Sequence, residues 1–202
     1  MPDTSVNHNL SIIPLTPIAR QYHAQVFPRM LKELERLART PLSVFVCGPS
    51  KGEEPLLKKK IEIINDLRLH DVTALVGEEE VERLKREDTK AGKVPKPDNV
   101  YELVIAKTVD LIVIIRASPG TIAEAHELLN DHDISQKTCV CVDRAHKDSY
   151  SDAGLILLHR NKLCPVIDYS YPDDIESCEL KSAVLQWVES HQMAKGLQQK
   201  GV

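Results

Sequence analysis

The sequence has no long hydrophobic run and no excess of basic residues, and these two absences exclude several classes of protein. No apolar stretch approaches the roughly 18–20 residues that a membrane-spanning helix needs, so we expect no membrane segment. The formal net charge is −4, which gives no general attraction to nucleic acids or anionic membranes. Residues 1–14 lack a basic segment followed by an apolar one, so we expect no signal peptide and a cytoplasmic location.

Cysteines are also few, and they form neither a disulfide framework nor a metal-binding pattern. There are five, an odd number, and three of them lie inside apolar runs. We interpret those three as small buried side chains in a reducing compartment. A zinc site would need further ligands at suitable spacing, and none stands out. We therefore expect no metal and no organic cofactor. The cysteines are Cys47, Cys139, Cys141, Cys164 and Cys178.

What the sequence does contain is a regular alternation of short aliphatic segments with segments of helical periodicity. The aliphatic segments are apolar throughout, which is typical of parallel strands buried on both faces. The alternation predicts an α/β protein with a Rossmann-like three-layer fold and a five-stranded, mainly parallel sheet. The predicted strands cover residues 42–48, 71–77, 110–116, 137–143 and 164–170. The predicted helices cover residues 26–40, 54–70, 78–87, 99–109, 120–131, 150–161 and 173–194.

Three parts of the chain are expected. Residues 1–40 form an N-terminal arm and helix, residues 41–194 form the α/β domain, and residues 195–202 form a tail. The polar segment 88–99 contains Gly92 and two prolines. It is either a lid over the loop that follows the second predicted strand or a plain surface loop.

The loop after the first strand, "CGPSKGEE" at 47–54, is one candidate ligand-binding segment. In doubly wound sheets, ligands bind beyond the carboxyl ends of the strands. Gly48, which precedes Pro49, would allow the backbone to approach a ligand closely. Both Ser50 and Lys51 could contact a phosphate group. The spacing is not that of a Walker A loop. The alternative is a strand-to-helix turn that happens to contain a lysine.

A second candidate is the segment "RASPGTIAEAHELL" at 116–129, where the third strand turns into a helix. Arg116 ends the strand on the ligand side and could pair with a phosphate or with a carboxylate. The turn at the helix N-terminus presents free backbone N–H groups and the positive end of the helix dipole, which suit an anion or a ribose hydroxyl. The turn consists of Ser118, Pro119, Gly120 and Thr121.

Two glutamates are the candidate catalytic residues. Glu124 lies about one turn into this helix, where it could act on or near a sugar, or be only a first-turn carboxylate favoured by the dipole. Glu102 lies eight residues before Asp110, in the preceding predicted helix. If the two helices are neighbours, Glu102 approaches Glu124, and a pair of nearby carboxylates separates its pKa values into an acid and a base. The alternative for Glu102 is a solvated helix charge, and Asp110 is expected to be structural.

The segments "VFVCGPS", "VTALVGEE" and "NVYELVIAKTVDLIVIIRASPGTIAEAHELL" together resemble the nucleoside 2-deoxyribosyltransferase-like family. The similarity covers about residues 42–170 and is greatest to the version fused to, or encoded beside, bacterial antiviral retrons. The later segment "DRAHKDSYSDAGLILL" matches a Tyr and a Gly of those effectors at Tyr150 and Gly154. The Gly-Thr-x-x-Glu motif is also similar to the LOG and SLOG nucleotide-processing families.

The resemblance implies roles for particular residues. Glu124 occupies the place of the family's nucleophilic glutamate, Glu102 that of an acid that contacts the base, and Phe45 is the nearest candidate for an aromatic residue that orients the nucleophile. Phe45 lacks a hydroxyl group, Ser118 replaces an aspartate, and the base-contacting acid is Glu rather than Asp. These departures favour hydrolysis of another N-riboside, or binding alone, over deoxyribosyl transfer.

The sequence thus predicts an N-glycosidase or N-glycosyltransferase that acts on a deoxynucleotide, NAD or a nucleoside monophosphate, with a role in antiviral defence. The alternatives are a nucleotide-signal sensor that does not cleave its ligand and a structural subunit of a defence complex. The polar arm 1–25 and the basic stretch 85–96 suggest a protein or RNA partner for the latter. We also expect a homodimer or a higher homo-oligomer.

Overall fold

The computed structural model describes residues 17–49, 54–116, 119–146 and 164–201, with the backbone alone at 17–25, 119 and 146. Five strands form one sheet in the order β2-β1-β3-β4-β5, and every neighbouring pair is parallel. This confirms the predicted Rossmann-like α/β architecture, with a sheet that is parallel throughout. The strands are β1 (Leu42–Cys47), β2 (Val72–Val76), β3 (Leu111–Ile115), β4 (Thr138–Asp143) and β5 (Val166–Tyr169).

Helices cover both faces of the sheet. Helices α2 and α8 pack on one face, and α3, α4, α5 and α6 pack on the other. The described helices are α1 (Pro17–Leu37), α2 (Glu54–Leu69), α3 (Gly77–Lys90), α4 (Asp98–Thr108), α5 (Pro119–Leu129), α6 (His132–Gln136), α7 (Asp173–Glu176) and α8 (Glu179–Gln199).

The core has two layers because the strands direct alternate side chains to opposite faces. Val44 and Val46 of β1 face α2 and α8, whereas Phe45 and Cys47 face the layer of α3, α4 and α5. All five residues of β3 are buried, as expected for the central strand of a sheet covered on both sides. The continuous aliphatic run that predicted this strand is therefore a consequence of double burial.

Several boundaries differ from those predicted. The first helix begins at Pro17 and contains Pro28, and α3 continues to Lys90 into the segment predicted as a loop. The predicted helix 173–194 is two helices, because Ser177 adopts an extended conformation (ψ 179°) between α7 and α8. Helix α6, capped by the Asp131 side chain, has no counterpart in the prediction. The helix predicted at 150–161 lies outside the described residues.

The chain divides into two compact units, one ending at Arg36 and one beginning at Leu37. In the first unit, α1 exposes a group of large apolar side chains, namely Val26, Phe27, Met30, Leu31 and Leu34. None of the described helices has the length and apolarity required to cross a membrane.

At the amino edge of the sheet, Asp110 ties β1 and β3 to the C-terminal helix. Its Oδ2 accepts hydrogen bonds of 2.8 Å from both the backbone N and the Oγ of Ser43. Its Oδ1 lies 2.9 Å from Nζ of Lys195 in α8. These contacts confirm the structural role predicted for Asp110.

Candidate functional site

The candidate site lies at the carboxyl edge of the sheet, between β1 and β3. These strands are adjacent, and the chain leaves β1 towards β2 on one side and later returns to β3 on the other. Such a reversal of strand order opens a crevice between the two following loops, where doubly wound proteins bind ligands. Of the predicted binding residues, Ser50, Lys51 and Ser118 lie in these loops and outside the described residues.

The start of the first loop is packed closely. A Cβ atom placed on Gly48 would lie 3.2 Å from Cβ of Ile115 and 3.5 Å from Cδ of Lys60. Pro49 is buried beside it. The missing side chain at Gly48 therefore lets the end of β1 sit close to Ile115 of β3, whereas the stem of Lys60 lies at an ordinary contact distance.

Glu102 of α4 and Glu124 of α5 lie on neighbouring helices, and the charge of Glu124 acts on Glu102. Burial raises the pKa of Glu102 to about 7, and the charge of Glu124 is the next largest cause. Burial also raises the pKa of Glu124, although a hydrogen bond from Cys47 and the charge of Lys60 oppose the rise. Near neutral pH, Glu102 is therefore able to hold a proton.

Cys47, the last residue of β1, contacts the candidate nucleophile. The side chain is 2% exposed, and its thiol donates a hydrogen bond to the Glu124 carboxylate. Burial, followed by the charge of Glu124, raises the pKa of the thiol well above its ordinary value. Cys47 thus stays protonated and acts as a hydrogen-bond donor rather than as a nucleophile.

Lys60 brings a positive charge to the same edge from the opposite face of the sheet. Its side chain is buried, and Nζ lies 3.1 Å and 3.2 Å from the two carboxylate oxygens of Glu78. Glu78 lies in the first turn of α3, directly after β2, where the helix dipole also favours an anion. The pair therefore bridges α2 and α3 across the ends of β1 and β2.

Further acidic groups surround Glu102. The charges of Asp98, Glu127 and Glu78 all contribute to its raised pKa. Glu127 lies one turn after Glu124 and accepts a 2.9 Å hydrogen bond from Asn99, which joins α5 to the start of α4. This side of the site is thus negatively charged and rich in hydrogen-bond acceptors.

The second loop contributes a buried arginine and the first turn of a helix. Arg116 is 5% exposed. Its backbone N–H donates a hydrogen bond to the Cys141 carbonyl, and its backbone carbonyl accepts a 2.9 Å hydrogen bond from the Tyr169 hydroxyl. Pro119 begins α5, Gly120 is exposed and Thr121 is buried. The predicted helix N-terminus is therefore present beside the crevice.

The segment predicted as either a lid or a surface loop is attached to its neighbours. The Tyr101 hydroxyl donates a 2.7 Å hydrogen bond to Asp88 and accepts one of 3.1 Å from the Lys96 N–H. Lys85 pairs with Asp98 at 2.7 Å. These contacts join the end of α3, the loop and the start of α4 into one connected surface.

The sequence analysis missed three residues of the site. These are Cys47, which acts on Glu124, and the paired residues Lys60 and Glu78. The predicted burial of Cys47 is confirmed. Its position as the last strand residue before Gly48 is a signal that could have placed it at the edge of the sheet where ligands bind. A lysine within a helix carries no such positional signal. Within the described part of the chain, no group of three or more His, Cys, Asp or Glu side chains is arranged to hold a metal ion.

Comparison with known proteins identifies a family. No curated protein matches the chain. The family model described as "STM3845 retron effector protein" matches residues 58–200, which is more than half of the chain. The match includes Lys60, Glu78, Glu102 and Glu124 and begins after β1 and Cys47. The chain therefore belongs to the STM3845 retron effector protein family.

Proposed function

We propose that the protein is an N-glycosidase or N-glycosyltransferase that cleaves the bond between base and sugar in a nucleotide-like molecule. The observation that carries this proposal is that Glu102 and Glu124 lie on neighbouring helices, α4 and α5, where burial raises the pKa of both carboxyl groups. The resemblance to the nucleoside 2-deoxyribosyltransferase-like family supports the same chemistry, since Glu124 occupies the place of that family's nucleophile.

The two carboxyl groups have distinct roles in the proposed reaction. Protonated Glu102 donates its proton to the base, which leaves with the electron pair of the N-glycosidic bond. The Glu124 carboxylate attacks the anomeric carbon, or stabilises the positive charge that develops there. Water or an acceptor base then takes the sugar. In the case of water, its oxygen bonds to the anomeric carbon while any bond between that carbon and Glu124 breaks and leaves the carboxylate free, and one proton of the water returns to Glu102.

The remaining predicted residues would hold the rest of the substrate. The first turn of α5, with Gly120 and Thr121, offers backbone N–H groups to a ribose hydroxyl or a phosphate. Arg116 and Gly48 follow the two strands that border the crevice, so the guanidinium of Arg116 and the loop that begins at Gly48 are the proposed contacts of a phosphate. The acidic side formed by Glu78, Asp98 and Glu127 suits the hydrogen-bond donors of a base better than it suits phosphate.

The family assignment supports a role in antiviral defence, together with a protein or RNA partner in a defence complex.

A homodimer or higher homo-oligomer is the other proposed assembly. The exposed apolar side chains of α1 between Val26 and Leu34 support it, because surfaces of this kind often mark contacts between chains.

Chromatography of a substrate panel tests the proposed reaction. The wild-type protein would be incubated with NAD, with nucleoside and deoxynucleoside monophosphates, and with free nucleosides. Release of a free base from one member of the panel is the expected result, and it names the substrate. A nucleotide that binds but stays intact after long incubation would instead favour a sensor that does not cleave its ligand.

A further inference from the structure

The hydroxyl of Tyr169 links β5 to the end of β3 across the strand that lies between them. Tyr169 is the last residue of β5 and is 1% exposed, and it packs in the core layer of α2 and α8. Its hydroxyl donates a 2.9 Å hydrogen bond to the backbone carbonyl of Arg116. Because β4 separates β5 from β3, this bond needs a long side chain with a polar tip.

The bond fixes the point at which the chain leaves β3. The backbone N–H of Arg116 donates a 3.0 Å hydrogen bond to the carbonyl of Cys141 on β4. With its carbonyl bound to Tyr169, both backbone polar groups of Arg116 have fixed partners. Only two residues separate Arg116 from Pro119, where α5 begins. The direction of the chain at Arg116 is therefore passed to the start of the helix that carries Glu124.

Tyr169 is itself held in place, as a residue that positions another must be. It lies opposite Asp143 in the register of β4 and β5. The next residue, Ser170, donates its backbone N–H to the Asp174 carboxylate at 2.8 Å, and its Oγ accepts a 3.0 Å hydrogen bond from Arg144. These contacts fix the end of β5 and thus the direction in which the Tyr169 side chain leaves the strand.

The later part of α5 is held by packing, which restrains a helix in a different way. Ala125, Leu128 and Leu129 are 5% exposed or less and lie in the core layer of α3, α4 and α6. Apolar burial is non-directional, whereas a hydrogen bond restricts orientation. The Tyr169 bond therefore adds a directional restraint where the chain enters α5.

We propose that Tyr169 is a positioning residue whose hydroxyl fixes the end of β3 and, through the start of α5, the place of the Glu124 carboxylate. Its consequence for catalysis rests on the proposed function, but its effect on the backbone does not. A phenylalanine would fill nearly the same space in the core, so the hydroxyl contributes the contact with Arg116 and little to the packing.

Tyr169→Phe removes the hydroxyl alone and provides the first test. Backbone NMR of ¹³C,¹⁵N-labelled protein measures the carbonyl resonance of Arg116 and the amide resonances of Gly120, Thr121 and Glu124. The carbonyl resonance should move upfield because the carbonyl loses a hydrogen bond, and the three amide resonances should shift with it. If the resonances at the start of α5 stayed in place, the positioning role would be wrong.

Base release by the folded protein provides the second test, with Thr138→Val as the matched control. Thr138 is fully buried at the start of β4, and its hydroxyl donates a 2.6 Å hydrogen bond to the carbonyl of Ile134. Each variant loses one buried bond from a hydroxyl to a carbonyl, so both proteins should be less stable. We expect kcat to fall about ten-fold in Tyr169→Phe and to keep its wild-type value in Thr138→Val. Equal kcat values in the two folded variants would overturn the proposed link to catalysis.

The two measurements separate this proposal from the proposed reaction. If the resonances shift and no base is released from any substrate of the panel, the positioning role of Tyr169 stands and the glycosidase proposal fails. If Tyr169→Phe releases base with the wild-type kcat, the glycosidase proposal stands and the catalytic consequence of Tyr169 is wrong.

Discussion

The Glu124 carboxylate in α5 acts on the thiol of Cys47 at the end of the first strand: after burial, the charge and hydrogen bonding of Glu124 raise the pKa of this thiol, and hydrogen bonding from the thiol opposes the raised pKa of Glu124. The strand end is fixed by pairing on both sides, with β2 and with β3. A donor on such a rigid element restricts the orientation of the carboxylate before any substrate binds. Preorganisation of this kind lowers the reorganisation needed during a reaction.

Replacing Cys47 tests this contact. Cys47→Ala removes the donor, and we expect base release to fall about ten-fold because a hydrogen bond to a charged group is lost. Cys47→Ser retains a donor and should keep most of the activity. Cys139→Ala is the matched control, since Cys139 is also fully buried but lies on β4. An unchanged rate and pH profile in Cys47→Ala would contradict the positioning role.

The raised pKa of Glu102 predicts how the reaction depends on pH. The proposed mechanism needs Glu102 protonated, and its pKa lies at about 7. Activity should therefore decline as the pH rises through about 7, and this decline should be absent from the residual activity of Glu102→Gln. The pH–rate profiles of the two proteins check the expectation. A wild-type rate that stays constant between pH 6 and pH 9 would exclude Glu102 as the proton donor.

The same shift predicts an effect on stability that does not depend on the reaction. The folded protein binds the proton of Glu102 more tightly than the unfolded chain does. The stability that this confers is fully present below the ordinary pKa of 4.5 and is lost as the pH rises through about 7. Glu102→Gln cannot ionise, so its Tm should exceed that of the wild type at pH 8, and the excess should shrink at pH 5. Thermal unfolding of both proteins at the two pH values measures the difference.

Asp110 should matter for stability and not for chemistry. Burial alone would raise the pKa of Asp110, but the hydrogen bonds from Lys195 and Ser43 outweigh it and lower the pKa. Asp110→Asn loses the charge at the amino edge, and we expect about 1–2 kcal/mol of destabilisation. Denaturant unfolding measures this loss, and base release by the folded fraction should stay at the wild-type rate. A large loss of that rate would show that the two edges of the sheet are coupled.

The sheet could be predicted from the sequence because it depends on local pattern. Double burial makes every residue of β3 apolar, and this run is visible without any tertiary information. For Glu102 and Glu124 the sequence supports only the expectation that they approach each other if their helices are neighbours, and α4 and α5 are in contact. The break between α7 and α8 was missed because Ser177, a residue compatible with helices, carries no strong stop signal.

The rest of the site depends on distances in space that the sequence does not show. Lys60 lies within a helix, and only the structure shows that its Nζ reaches Glu78 on another helix. Similarly, Cys47 and Phe45 face the same side of β1, and only the structure shows that the thiol reaches Glu124. Phe45 packs near Gly77, at 3.4 Å from where a Cβ of that glycine would lie.

The most direct test compares base release by wild-type protein, Glu124→Gln and Glu189→Gln on the substrate that the panel identifies, at about pH 6. Glu189 is the matched control, since it lies in α8 on the other face of the sheet and pairs with His70 at 3.6 Å. We predict that Glu189→Gln releases base at close to the wild-type rate and that Glu124→Gln is slower by at least about 100-fold while folding normally. A Glu124→Gln protein that releases base at the wild-type rate would contradict the assignment of Glu124 to the reaction.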